Sequence, residues 1–227
     1  IHDRSKSEPL PHRYLHRGGD SKEVIDVVIL AEGYTAEEMA LFIEDAQIAT
    51  DEILSYEPFK SYKEKFNFIA VESVSKDTNV SVPQAKAWRE TAVGSNFMTF
   101  YMERYLTSGN VYAMYDLATN IPCEHLIILA NTDTYGGGGI YNSYTLTTAH
   151  HRAFRPVVVH EFGHSFGGLG DEYFYLSTDN NDEMHSLDHE PWEPNITTLV
   201  DFESKWADMV EKGIEIPYPH VQIVEKK

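Results

Sequence analysis

The chain has 227 residues, enough for one or two domains. Its single cysteine, Cys123, excludes an intrachain disulfide framework, and 36 acidic against 18 basic residues leave a net charge of −18, which argues against nucleic acid or an anionic membrane surface as a partner. The longest apolar stretch, residues 24–31, is interrupted by Asp26 and falls far short of the ~20 residues that cross a bilayer, so no membrane insertion is expected.

Residues 1–22 are polar, carry Pro9, Pro11, Gly18 and Gly19, and read as a linker or arm. The chain opens on Ile1, which reads as a processing boundary. Residues 24–31 (VIDVVILA) are β-branched and apolar, as a buried strand requires. Glu32, Gly33 and Tyr34 make a turn. Thr35 with Glu38 three positions later is a capping box, so a helix is predicted from residue 36 to about residue 55, with Met39, Phe42, Ile43, Ala46, Ile53 and Leu54 on its apolar face. A second strand is expected over 66–73 (FNFIAVES) and a loop over 78–83. Residues 96–106 place aromatics and Met at helical spacing, and 110–118 suit a short helix. Residues 124–131 (EHLIILAN) read as another buried strand. Gly136 to Gly139 read as a loop that leads through IYNSYTL into a last strand. Two helices should follow: 155–166, with Pro156 in its first turn, and the amphipathic 201–212, stopped by Gly213 with Met209 in its core. Strands and helices alternate up to residue 166, which predicts an α/β domain.

The chemistry is concentrated in His160-Glu161-Phe162-Gly163-His164. On a helix, four residues turn about 400°, so both imidazoles lie on one face, one turn apart. Rings so placed converge on a zinc ion, and Glu161 beside the first can reach the ion's open position as a base toward water. Val157, Val158 and Val159 supply the packing that a buried site helix needs. Asp171 lies seven residues past His164, and a straight helix would carry it about 10 Å too far along the axis. The helix must therefore stop and turn back, with Gly167 or Gly168 at the stop and Gly170 finishing the turn. Asp171 then returns as third ligand, and Glu172 competes with it.

The segment HEFGHSFGGLGDEY resembles the active-site signature of the IgA-peptidase family of bacterial zinc metallopeptidases. Residues 27–35 (VVILAEGYT), 124–139 (EHLIILANTDTYGGGG), 193–198 (EPNITT) and Lys205-Trp206 extend the similarity over residues 12–206. The resemblance implies a metzincin-like zincin, with a twisted mixed sheet, an active-site helix and a small C-terminal subdomain. Residues 1–22 would form the arm and 23–227 the catalytic domain. It also implies a zinc endopeptidase with His160, His164 and Asp171 as ligands and Glu161 as general base, secreted or held at a bacterial cell surface. Two positions depart from metzincins: Gly170 occupies the usual third-ligand place, and neither Met184 nor Met209 fits a methionine turn, so the module is either cut short at its C-terminus or floored differently.

Gly138, Gly139, Ile140 and Tyr141 are candidates for a rim strand that pairs with an extended peptide, with a hairpin loop as the alternative. Tyr173 and Tyr175 are expected to pack under the turn. His150 and His151 are expected at a solvated helix start. Asp179, Asp182, Glu183, Asp188 and Glu190 are expected to form a solvated acidic loop, and Asn195-Ile196-Thr197 is a formal glycosylation sequon. The expected partner is a protein or peptide substrate and the expected cofactor Zn2+. The competing readings are a surface-binding module on a zincin scaffold without catalysis, and a zinc hydrolase of a non-protein amide or ester.

Overall fold

The structure is a computed structural model that describes residues 7–172, 185 and 188–216. The chain divides into two compact units, the first ending at Gly168 and the second starting at Leu169.

The first unit contains strands β1 (His12–Arg17), β2 (Ile25–Glu32), β3 (Phe66–Val71), β4 (His125–Ala130), β5 (Gly137–Ile140) and β6 (Tyr144–Thr148), and helices α1 (Met39–Ile53), α2 (Val111–Leu117) and α3 (Phe154–Gly167). The strands form one mixed sheet in the order β1-β3-β2-β4-β6-β5. The central four are parallel, and the edge strands β1 and β5 run antiparallel to their neighbours. Parallel strands are covered on both faces, which is why β2, β3 and β4 are near-continuous apolar runs. The side-chain period of two divides them between two cores. Val27, Ile29 and Ala31 pack with residues of α1 and α3, whereas Val28 and Leu30 pack with Val93, Phe97, Leu106 and Met114 on the other face.

The entry to α1 follows the capping-box expectation: the Thr35 N–H donates to Glu38 Oε2 at 2.8 Å. Its first turn is 3-10, and the α-helix ends at Ile53, two residues before the predicted stop. Glu32, read as part of a turn, is the last residue of β2 and is fully buried. Its carboxylate accepts from the Thr91 and Ser95 hydroxyls, both at 2.6 Å, and from the Val93 and Ser95 N–H groups, both at 2.8 Å. Buried charge is tolerated only when so saturated with donors.

Three expectations are corrected. Within the predicted arm, residues 12–17 form the edge strand β1, paired with β3. The predicted helix over 96–106 does not form, because its backbone bonds elsewhere: Asn96 and Thr107 exchange N–H···O bonds at 3.0 and 3.2 Å, and the Phe97 N–H donates to Ser81 O at 3.1 Å. The segment keeps one 3-10 turn, Thr99–Tyr101. The predicted helix over 201–212 is replaced by two 3-10 turns, Phe202–Ser204 and Ala207–Met209.

The second unit supplies the reason for the last of these. The largely covered Lys205 ammonium donates to the carbonyls of Pro191 and Glu193, both at 2.6 Å, and to that of Ile196, with Glu190 Oε1 at 3.5 Å. Drawing this lysine inward breaks the helical course, and Met209 ends up 75% exposed rather than in a core. Glu190 is correspondingly not a solvated surface acid. Desolvation pushes its carboxyl upward, but the Asp201 N–H, the neighbouring threonine hydroxyls and Lys205 outweigh it and hold it at about 2. Tyr173, Tyr175, Asp179, Asp182, Glu183, Met184 and residues 217–227 lie outside the described residues.

Candidate metal centre and active-site helix

Helix α3 buries Phe154, Val158, Phe162 and Ser165 against the sheet. Phe162 and Phe166 stack at 5.1 Å, with Phe59 against both and the His125 ring edge-on to each. Burying a ring such as Phe162 contributes roughly 2–3 kcal/mol. Beneath this aromatic layer runs a polar chain. His125 Nε2 lies 3.0 Å from Ser165 Oγ, Ser165 Oγ lies 2.5 Å from Thr145 Oγ1, and the Thr145 hydroxyl donates to the Glu161 carbonyl at 3.5 Å. The network fixes the rotation of α3 on β4 and β6.

Burial holds His125 neutral and lowers its pKa to about 4. The unfolded chain takes up this proton near pH 6.5, so folding is fully favoured above that pH and loses stability as the pH falls from 6.5 to 4. The loss at pH 4 is expected to be about 3 kcal/mol. Urea unfolding measured against pH should show this slope, and His125→Asn should flatten it.

On the opposite side of α3, His160, Glu161 and His164 are brought together. The imidazole Nε2 atoms of His160 and His164 lie 3.0 Å apart, with ring centroids at 4.4 Å and planes at 84°. The helix stops at Gly168, in the left-handed conformation at φ 66°, whose N–H donates to His164 O at 3.0 Å. Of the two predicted stops, the second is used. Its φ is what demands glycine there.

The glycine run is a strand rather than a loop. β5 pairs with β6 from Gly137↔Thr147 to Ile140↔Tyr144, and Tyr141 opens the turn between them. The strand also presses on α3. A Cβ at Gly139 would stand 2.2 Å from the Glu161 carbonyl oxygen and 2.8 Å from His164 Cβ, and one at Gly137 would stand 3.2 Å from Glu161 Oε1. Of the predicted rim residues, Gly139 thus faces the helix that carries the motif, whereas a Cβ at Gly138 would meet Leu106 and Thr107 instead. The outer edge of β5 is partly taken: the Gly137 N–H donates to Arg104 O at 3.4 Å, and Tyr105 bridges to Gly137 in parallel.

His150 is not a solvated residue at a helix start. Its Nε2 lies 2.8 Å from the buried Asp45 Oδ2, which also accepts from the Tyr34 hydroxyl at 2.8 Å. Burial first, and then Asp45, raise the Tyr34 pKa. This cluster joins α1 to the approach to α3. No local pattern announces it, because its members are far apart along the chain.

Asp171 and Glu172 lie near the start of the second unit. There Asn195 clasps the chain around them. Its Oδ1 accepts from the Gly170 N–H at 2.8 Å, and its Nδ2 donates to Gly170 O at 2.9 Å and Glu172 Oε1 at 2.8 Å. In sequence Asn195 stands out only as part of a sequon; its structural use is to fix the peptide just before Asp171.

Among the described residues, no helix is long and apolar enough to cross a membrane. No curated protein matches the chain. The family model described as IgA Peptidase M64 matches residues 14–227. With nearly the whole chain so matched, the protein belongs to the IgA Peptidase M64 family, and it is a peptidase whose substrates are proteins or peptides.

Proposed function

We propose that the protein is a zinc endopeptidase in which His160, His164 and Asp171 hold the ion and Glu161 is the general base. The observation that carries this reading is the imidazole pair on α3. Two Nε2 atoms 3.0 Å apart can both bond one zinc ion at ~2.05 Å, and an opening of the pair by about 0.3 Å reaches the tetrahedral angle. A pair of neutral imidazoles offers the right donors for zinc. Asp171 follows Gly168 by three residues, at most about 11 Å of chain, and the left-handed backbone at Gly168 ends the helix before it. The Asn195 amide already binds Glu172, which favours Asp171 over Glu172 as third ligand.

Bound there, zinc would polarise the scissile carbonyl and bring the pKa of a water to ~7. Glu161, beside Gly137, would serve as the base that takes a proton from water and returns it to the departing amine. The substrate backbone aligns along the open part of the β5 edge, at Gly138, Gly139, Ile140 and Tyr141, by adding a strand. The antiparallel glycine edge strand of the mixed sheet, packed against the helix that carries the histidines, supports a metzincin-like zincin. The family resemblance supports a secreted or cell-surface setting.

Metal analysis tests the proposal. The purified chain is expected to carry about one zinc, to lose peptide hydrolysis on chelation and to regain it with stoichiometric zinc. Undiminished hydrolysis by metal-free protein would overturn it.

A further inference from the structure

Beside β5 lies a turn that the mechanism leaves unused. Met98, Phe100 and Tyr101 all have left-handed backbone, at φ 68°, 56° and 63°. Side chains other than glycine adopt this region at a cost. The aromatic pair recovers nothing by packing: Phe100 is 81% exposed and Tyr101 92%. The turn is nevertheless held in shape. Thr99 and Thr107 hydroxyls bond at 2.6 Å, the Thr99 N–H donates to Tyr105 O at 3.3 Å, and the Tyr101 N–H donates to Met98 O at 3.0 Å. Its two ends are fixed to the head of β5. A Cβ at Gly136 would stand 2.5 Å from Phe97 Cε1, and Arg104 and Tyr105 pair with Gly137.

A strained, pinned and exposed aromatic pair next to the strand where substrate aligns has one consistent use. We infer that Phe100 and Tyr101 form the wall of a specificity subsite that accepts an apolar side chain of the substrate, aromatic or large aliphatic, close to the scissile bond. A peptide pairing with Gly139 and Ile140 and continuing toward Gly137 meets the turn where Arg104 and Tyr105 end the free edge. There an aromatic wall returns the cost of the backbone by burying apolar surface against a bound side chain. The inference rests on the peptidase reading above.

The test is cleavage of a random peptide library by the zinc-loaded full chain and by the double variant Phe100→Gly, Tyr101→Gly. The wild type is expected to prefer phenylalanine or leucine over alanine by about tenfold or more in kcat/KM at one position within about three residues of the cut. The variant should lose most of that preference. It should also melt at the same temperature or higher, since glycine relieves the left-handed strain. An unchanged preference in the variant would overturn the inference, as would a wild type that cleaves without apolar preference. A lower melting temperature would show that the turn is held by its own packing, and would also overturn it. A zinc-loaded wild type that cleaves nothing in the library sinks the peptidase reading itself, a result distinct from the others.

Discussion

Glu161→Gln is expected to lower kcat by about 10³-fold or more while the zinc content of the protein stays at its wild-type level. Glutamine keeps the size of the side chain and its place beside Gly137, but its amide cannot accept a proton from water. The imidazole pair is untouched, so metal binding survives. This separation of turnover from metal content is what distinguishes a base from a ligand. Hydrolysis within a few-fold of wild type in Glu161→Gln would remove this residue from the mechanism and leave the two histidines as a metal site without an assigned base.

Gly139→Ala is expected to cost about 3 kcal/mol of stability and at least tenfold in kcat/KM. The added methyl group would meet the Glu161 carbonyl at 2.2 Å and His164 Cβ at 2.8 Å. Both partners belong to the helix backbone or its first side-chain atom, so no rotamer change relieves the contact. Either β5 lifts from the helix or α3 shifts with the base and a ligand on it. Denaturant unfolding and steady-state kinetics on one preparation measure the two effects. Gly138 is the matched control: a Cβ there meets Leu106 O at 3.5 Å, an ordinary contact, so Gly138→Ala should leave stability nearly unchanged. Equal losses at both positions would show that flexibility, and not the close approach, is what the glycines supply.

How legible this was in the sequence depends on where each side chain finds its partners. The apolar runs of β2, β3 and β4 announce themselves because parallel strands are buried on both faces. The spacing of His160 and His164 is meaningful because a helix turns regularly, and Gly168 is readable because a helix that must stop needs a left-handed residue. Strand β5 was hidden because glycines carry no period. Strand β1 was hidden because it is a polar edge, with only Leu15 packed against the core. Residues 201–212 carry a true amphipathic spacing, but Lys205 spends its charge on three carbonyls inside the unit rather than on solvent, which no helical wheel reveals. The same holds for His125, Ser165 and Thr145 and for Tyr34, Asp45 and His150: each is unremarkable in sequence and acts only through residues brought together by the sheet.

The carboxylate at the end of β2 has a consequence for how this protein can diverge. Glu32 takes hold of Thr91, Val93 and Ser95, so one stretch of the long wandering excursion between β3 and β4 is moored to the end of β2. To keep that mooring, a descendant sequence must present a hydroxyl or two and a pair of backbone amides to a single acid. The exposed tip of the aromatic turn beside β5, Phe100 and Tyr101, is at liberty to exchange its side chains while its pinned ends stay in place. New substrate preferences can thus arise by rewriting a tethered ribbon while the sheet and the histidine helix stay as they are.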